Sequence, residues 1–204
     1  NAEVPKIFGN TTLYSFGGYN HKSSDAFAFT RNFCARPDRF PTDGSGELIN
    51  VPGIMKETSD GEIYYNPHIQ TKINDFSIAA GLKGKAGQWD WDLSNSLGVN
   101  DFHFYGDKTF NASKGATQTH FDDGGFNFLQ NTVNLGFTRA FDDIASGLNI
   151  SFGAEYRAER YKINAGEEGS YKNYDVTGEK AGGSQGFPGY QPADEVNANR
   201  SVVG

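Results

Sequence analysis

The sequence predicts an all-β fold built of antiparallel, up-and-down strands. Three observations point to it. Apolar and polar residues alternate with period two in one segment after another, and no segment keeps a helical spacing. Only 36% of residues are hydrophobic, yet there are 17 Phe, 10 Tyr and 26 Gly, a mixture suited to pleated strands and turns rather than to packed helices. The connections between the alternating segments are short and long by turns. Low mean hydropathy also fits disorder, but disordered segments are poor in aromatic residues.

Five strands are expected, near 11–21, 70–84, 88–105, 127–140 and 147–162. The first is diluted by Gly17 and Gly18. The second carries Phe76, Ile78, Ala80 and Leu82 on one face, and Asp75, Ser77, Ala79, Gly81 and Lys83 on the other. In the third, Trp89, Trp91, Leu93, Leu97 and Val99 share a face that Asn95 interrupts, and Asp90, Asp92, Ser94 and Ser96 fall opposite. The fourth sets Leu129, Val133, Leu135 and Phe137 against Gln130, Thr132, Asn134 and Thr138. The fifth is the clearest. Leu148, Ile150, Phe152, Ala154 and Tyr156 alternate with Asn149, Ser151, Gly153, Glu155 and Arg157, as a half-buried strand requires. Arg200–Val203 reads as the opening of a further strand.

Short links at Gly84–Gly87 and Phe141–Ser146 contrast with long ones over 22–69, 106–125 and 164–199. Loops beyond about 12–15 residues are uncommon in compact domains unless they are functional. The strands also exceed the roughly 5–6 residues usual in globular sheets and reach the 9–11 or so that cross a bilayer. Hydrocarbon cannot satisfy a free backbone N–H or C=O, so a sheet can cross only when closed. Short turns at one end and long loops at the other are the pattern of a transmembrane β-barrel, with long extracellular loops and short periplasmic turns. Bacterial barrels have at least about 8 strands, so the chain is expected to be part of a larger sheet.

The formal charge of −7 disfavours nucleic acid as a partner. The single cysteine, Cys34, excludes an internal disulfide. No apolar run is long enough for a membrane-spanning helix, and the first residues do not read as a secretory signal. No pair of carboxyls is spaced as a catalytic acid and base, which argues against an enzyme, and nothing calls for a cofactor. His21, His68, His103 and His120 are scattered without a metal-ligand spacing, so no metal site is expected. Asp43–Gly46 and Asp122–Gly125 do not fit the calcium-loop pattern and read as hydrated turns.

Several segments resemble one family. Gly153–Tyr161 (GAEYRAERY), followed by a Gly- and Glu-rich loop, resembles a strand of TonB-dependent outer-membrane receptors. Gly182–Pro192 (GGSQGFPGYQP) looks like the loop that follows it. Leu13–Tyr19 and Trp89–Ser94 (WDWDLS) resemble earlier strands of the same barrels. The resemblance implies that 1–204 belong to one receptor barrel domain of the bacterial cell outer membrane. Such a receptor binds a scarce nutrient such as a siderophore, vitamin or oligosaccharide. It imports the ligand with energy from the TonB–ExbB–ExbD complex, contacted through a plug and TonB box not present in this sequence.

On this reading Trp89, Trp91, Leu93, Leu97, Val99, Leu148, Ile150 and Phe152 face outer-membrane lipid, the two tryptophans as an interfacial girdle. Asp90, Asp92, Glu155, Arg157 and Glu159 face the lumen. Aromatic residues of the long loops are the ligand candidates: Phe33, Phe40, Tyr64, Tyr65, Tyr171, Tyr174, Phe187 and Tyr190. A packing role within the loops is the alternative for these eight. The rival fold is a soluble β-sandwich with lectin-like ligand loops, which would bury Leu148, Ile150 and Phe152 against a second sheet.

Overall fold

The computed structural model describes residues 1–144 and 146–204. Ala145, which the sequence places in the last short turn, lies outside them. In chain order the strands are β1 (Ala2–Phe8), β2 (Thr11–Phe27), β3 (Arg31–Asn32), β4 (Lys56–Glu57), β5 (Ile63–Tyr65), β6 (His68–Ala86), β7 (Trp89–Asp107), β8 (His120–Phe141), β9 (Leu148–Asn164) and β10 (Val196–Val203). A single turn of helix, α1 (Glu168–Tyr171), follows β9. Seven strands form one antiparallel sheet in the order β1-β2-β6-β7-β8-β9-β10. The sheet is open, with β1 and β10 as its edges. A separate three-stranded sheet, β3-β5-β4, lies within the first long loop.

The five expected strands are all present and all longer than alternation alone indicated, at 17 to 22 residues. Apolar alternation stops where the backbone ladder does not. β2 continues through the polar Lys22–Asp25 because each of these residues pairs with one in Gln70–Ile73. The long loops are correspondingly shorter, at 28–67, 108–119 and 165–195. β1 was not expected, because Pro5 and Lys6 break its alternation. There Lys6 sits at φ 58° and the pairing with β2 shifts register between Val4 and Phe8.

Register sorts the sheet into two unlike faces. Across five strands, Phe152 pairs with Phe137, Phe137 with Trp91, Leu135 with Leu93, Leu93 with Leu82, and Leu82 with Leu13. Leu97, Ile78, Val99, Phe76 and Tyr19 continue this apolar face. The opposite face carries Asp92, Ser94, Asn134, Thr132, Glu155 and Arg157 in the same ladders.

The buried apolar residues lie elsewhere, in the loops and at the loop ends of the strands. Phe33, Phe40, Tyr65 and Phe110 form a chain of edge-to-face rings with centroids 5.2, 5.0 and 5.1 Å apart, and Met55 completes their cluster. Edge-to-face contact suits the ring quadrupole and adds to the area buried. The hydrophobic core thus holds the loops together and leaves the sheet's apolar face open.

Candidate functional site

The long loops all leave the same end of the sheet, and the tight turns all lie at the other, since Phe27, His68, Asp107 and His120 stand side by side in register. On the polar face at this end, the strands carry aromatic residues. Phe102 and Phe126 stack at 5.2 Å. Phe187 of the third long loop stacks on Phe104 at 4.6 Å, and Tyr190 meets Phe187 edge-on at 5.5 Å. These rings anchor a cleft of about 610 Å³ lined by Ile163, Tyr171, Phe187, Pro188, Tyr190 and Asp194. That volume falls within the roughly 300–1,000 Å³ of small-molecule sites.

A bulge in β8 holds the loop in place. Opposite β8, the register slips between Phe104 and Tyr105, so that Asp123 is left without a partner in the ladder. Gly124 makes the slip possible. It sits at φ +78°, and a Cβ there would lie 2.5 Å from the Asn164 carbonyl oxygen. Asp123 is fully buried: its carbonyl accepts the Tyr190 N–H at 2.9 Å, and its Oδ1 lies 2.9 Å from Ser184 Oγ. Its Oδ2 has no hydrogen-bond partner. Burial pushes this carboxyl up to about 7, against the lowering effect of Ser184 and with the neighbouring Asp122 and Glu167 adding to the rise. Asp122–Gly125 are therefore not the hydrated turn that their composition indicates. Asp43 does make such a turn, accepting from Ser45 N at 2.8 Å and Glu47 N at 3.0 Å.

Of the eight loop aromatics picked from the sequence, Tyr171, Phe187 and Tyr190 line the cleft. Phe40 and Tyr65 do not qualify as ligand residues. Both are 0% exposed, and the Tyr65 hydroxyl is committed to the Arg39 carbonyl at 3.0 Å. Phe33 packs against the same cluster. Tyr64 is half-buried in β5, paired with Asn32 and Lys56. Tyr174 is exposed, with the Lys172 ammonium 5.2 Å from its ring centre, and donates to Glu168 at 3.2 Å.

No family model, curated protein or solved structure matches the chain.

The other predicted residues fall on the two faces as paired. Trp89 meets Phe152 at 5.3 Å beside the tight turns, and the Arg139 guanidinium lies 4.3 Å from the Phe141 ring centre. Trp91, Leu93, Leu97, Val99, Leu148 and Ile150 share that face. On the other face, Asp90 pairs with Lys85 at 2.9 Å, and Asp92 accepts the Tyr14 hydroxyl at 2.8 Å. Glu155 pairs with Arg157 at 2.7 Å, and Glu159 with Arg200 at 2.5 Å.

Sequence spacing offers no metal site, but among the described residues the fold gathers one candidate donor set. Ligand atoms of Asp25, His68 and Asp107 all lie within 4.8 Å of one another. Their separations along the chain carry no signal, because only the register of β2, β6 and β7 brings them together.

Proposed function

We propose that this chain forms part of the barrel of a bacterial outer-membrane receptor of the TonB-dependent kind. The receptor captures a scarce nutrient at the loop end and imports it with energy from the TonB–ExbB–ExbD complex. The observation that carries this reading is the uncovered apolar face. Leu93, Leu135, Leu148, Ile150 and Phe152 are 41, 37, 42, 40 and 58% exposed, and among the described residues no second sheet covers them. Exposed apolar area on this scale favours a lipid or protein environment over water.

The dimensions agree. Trp89 to Val99 runs ten residue steps, about 33 Å along a strand, which a tilt of about 40° reduces to the roughly 25 Å of a barrel's apolar band. Trp89 and Phe141 stand at the turn end of that band, where an aromatic girdle belongs. Both sheet edges are open to further strands, as closure requires. A sandwich reading needs Leu148, Ile150 and Phe152 buried, and among the described residues nothing covers them.

The cleft at Tyr171, Phe187 and Tyr190 gives the ligand its chemistry. Ring faces framed by a few polar groups suit an oligosaccharide or an aromatic siderophore, which stack on such surfaces. Placement on loops held by a rigid sheet is where specificity commonly resides.

Spin labels placed at Phe152 and Ser151 of the intact protein in lipid vesicles test the reading. A lipid-soluble quencher should reach the label at 152 and not the one at 151. Equal accessibility of the two, or an intact protein that stays monodisperse in water without detergent, rejects the barrel.

A further inference from the structure

We infer that Asp25, His68 and Asp107 hold a divalent transition-metal ion of the zinc class at the base of the first two long loops, with His120 beside them as a fourth donor. This inference rests on the register of four strands and not on the membrane reading.

The four residues come from four consecutive strands of the sheet. Asp25 lies two residues before the end of β2, His68 opens β6, Asp107 ends β7 and His120 opens β8. His68 is directly paired with Asp107, and Asp107 with His120, while Asp25 is paired with Gln70. Paired residues project from the same face of a sheet, which brings ligand atoms of Asp25, His68 and Asp107 within 4.8 Å of one another and sets His120 beside Asp107. His68 Nδ1 lies 2.7 Å from Asp25 Oδ1, and His120 Nδ1 lies 3.3 Å from Asp107 Oδ1. His68 is 9% exposed, and Phe27 packs edge-on against its ring at 4.6 Å. A buried imidazole fixed by packing is the preorganised part of the set.

The sharing of one amide by two carboxylates points to a cation. Asp25 Oδ2 and Asp107 Oδ2 each accept from the same Gln70 amide nitrogen, at 3.2 Å. One neutral amide therefore stands between two carboxylates. Lys108, next along the chain, is the nearby cation whose charge acts on Asp25. An ion bound by the three side chains takes over the bridging done by Gln70, and it competes with the charge of Lys108. Two carboxylates with one or two imidazoles make a mixed oxygen and nitrogen set. Such a set suits zinc and its first-row neighbours, whereas calcium and magnesium prefer all-oxygen sites.

The test uses the intact protein, stripped with a chelator and titrated calorimetrically with zinc chloride. Cobalt(II) absorption serves as a second readout, because its visible bands report the ligand geometry. The expected result is one tightly bound zinc per chain, no comparable uptake of calcium or magnesium, and structured cobalt bands. Asp107→Asn and His68→Gln should weaken zinc at least about tenfold and change the cobalt spectrum. Asp25→Asn is nearly isosteric at a half-exposed position, so it keeps the test valid if His68→Gln disturbs folding. Lys108→Gln should tighten zinc several-fold. Failure of the wild type to bind, or wild-type affinity retained in both Asp25→Asn and Asp107→Asn, overturns the site. In the latter case the ion is adventitious, held by histidines elsewhere such as His21 or His103. Neither outcome bears on the barrel, which the spin labels test separately.

Discussion

Asp123 Oδ1 lies 2.9 Å from Ser184 Oγ, and that contact fastens the third long loop to the bulge in β8. Ser184 Oγ also lies 2.7 Å from the Phe187 carbonyl oxygen. A serine hydroxyl has one hydrogen to donate. If it goes to Phe187, the contact with Asp123 is a hydrogen bond only when the carboxyl is protonated and donates in return. The raised value of about 7 for this carboxyl agrees with that proton count.

The loop is therefore expected to loosen as pH rises. The folded-state value lies above the ordinary 3.8, so the folded form binds the extra proton. Its contribution is fully present below about 4 and is lost as pH climbs through about 7. This site is at the loop end, beyond the apolar band. Protection of the Tyr190 and Ser184 amides, with exchange corrected for its intrinsic base-catalysed rate, should be greater at pH 5.5 than at pH 8. In Asp123→Asn, whose amide donates at every pH, the difference should vanish. A wild-type profile that is flat, or one of the opposite slope, removes the protonated carboxyl from the account.

The aromatic cluster of the first loop makes a local prediction. Tyr65 and Phe40 are fully buried against each other, so Tyr65→Ala should cost about 3–5 kcal/mol of loop stability through the cavity it leaves. Tyr65→Phe loses only the hydrogen bond to the Arg39 carbonyl, worth about 1 kcal/mol. Exchange protection over 31–65 should fall in that order, while amides of β7 and β8 keep theirs. Equal losses in the sheet would mean that loop and sheet unfold together.

Much of this architecture is legible in the sequence, for a physical reason. Period-two alternation at Leu148–Tyr156 follows from a sheet with one apolar and one polar face, so it marks the strand and its faces at once. Where both faces are polar, as at Lys22–Asp25, alternation vanishes although pairing continues, and the strand ends are misplaced. The aromatic residues of the loops were visible, but Phe40 and Tyr65 are no different in sequence from Phe187 and Tyr190. Only tertiary contacts separate the packed pair from the pair that lines the cleft. Asp25, His68 and Asp107 carry no signal at all, because their proximity is created by register across strands. Asp123 looked hydrated because its Asp and Gly neighbours are turn residues, and the bulge that buries it depends on a loop far along the chain.

Gly124 should tolerate no side chain. Its φ of +78° and the Asn164 carbonyl oxygen 2.5 Å from a built Cβ oppose even alanine. Gly124→Ala is expected to destabilise the loop base by about 1–3 kcal/mol, the range for a residue forced into a strained conformation. Gly98 is the control, since a Cβ there meets nothing within 4 Å. Gly98→Ala should leave protection of Tyr190 unchanged, while Gly124→Ala should reduce it. Indistinguishable variants would show that the bulge relaxes without cost.

A pair of charge substitutions separates the two faces energetically. Leu93 lies mid-band on the apolar face, between Leu82 and Leu135 in register, and Ser94 lies beside it on the polar face, between Gly81 and Asn134. In a bilayer, Leu93→Arg must place a guanidinium in hydrocarbon, at a cost of about 2–4 kcal/mol near the midplane. Ser94→Arg adds the same charge on the face that carries Asp92, and Glu155 opposite Asn134, and it should change stability by no more than about 0.5 kcal/mol. Reversible unfolding of the intact protein in lipid vesicles measures both. In a water-filled setting the order collapses, because an exposed arginine is tolerated on either face. Equal stabilities for the two variants would therefore count against lipid as the medium of the apolar face, and a penalty confined to Leu93→Arg would support it.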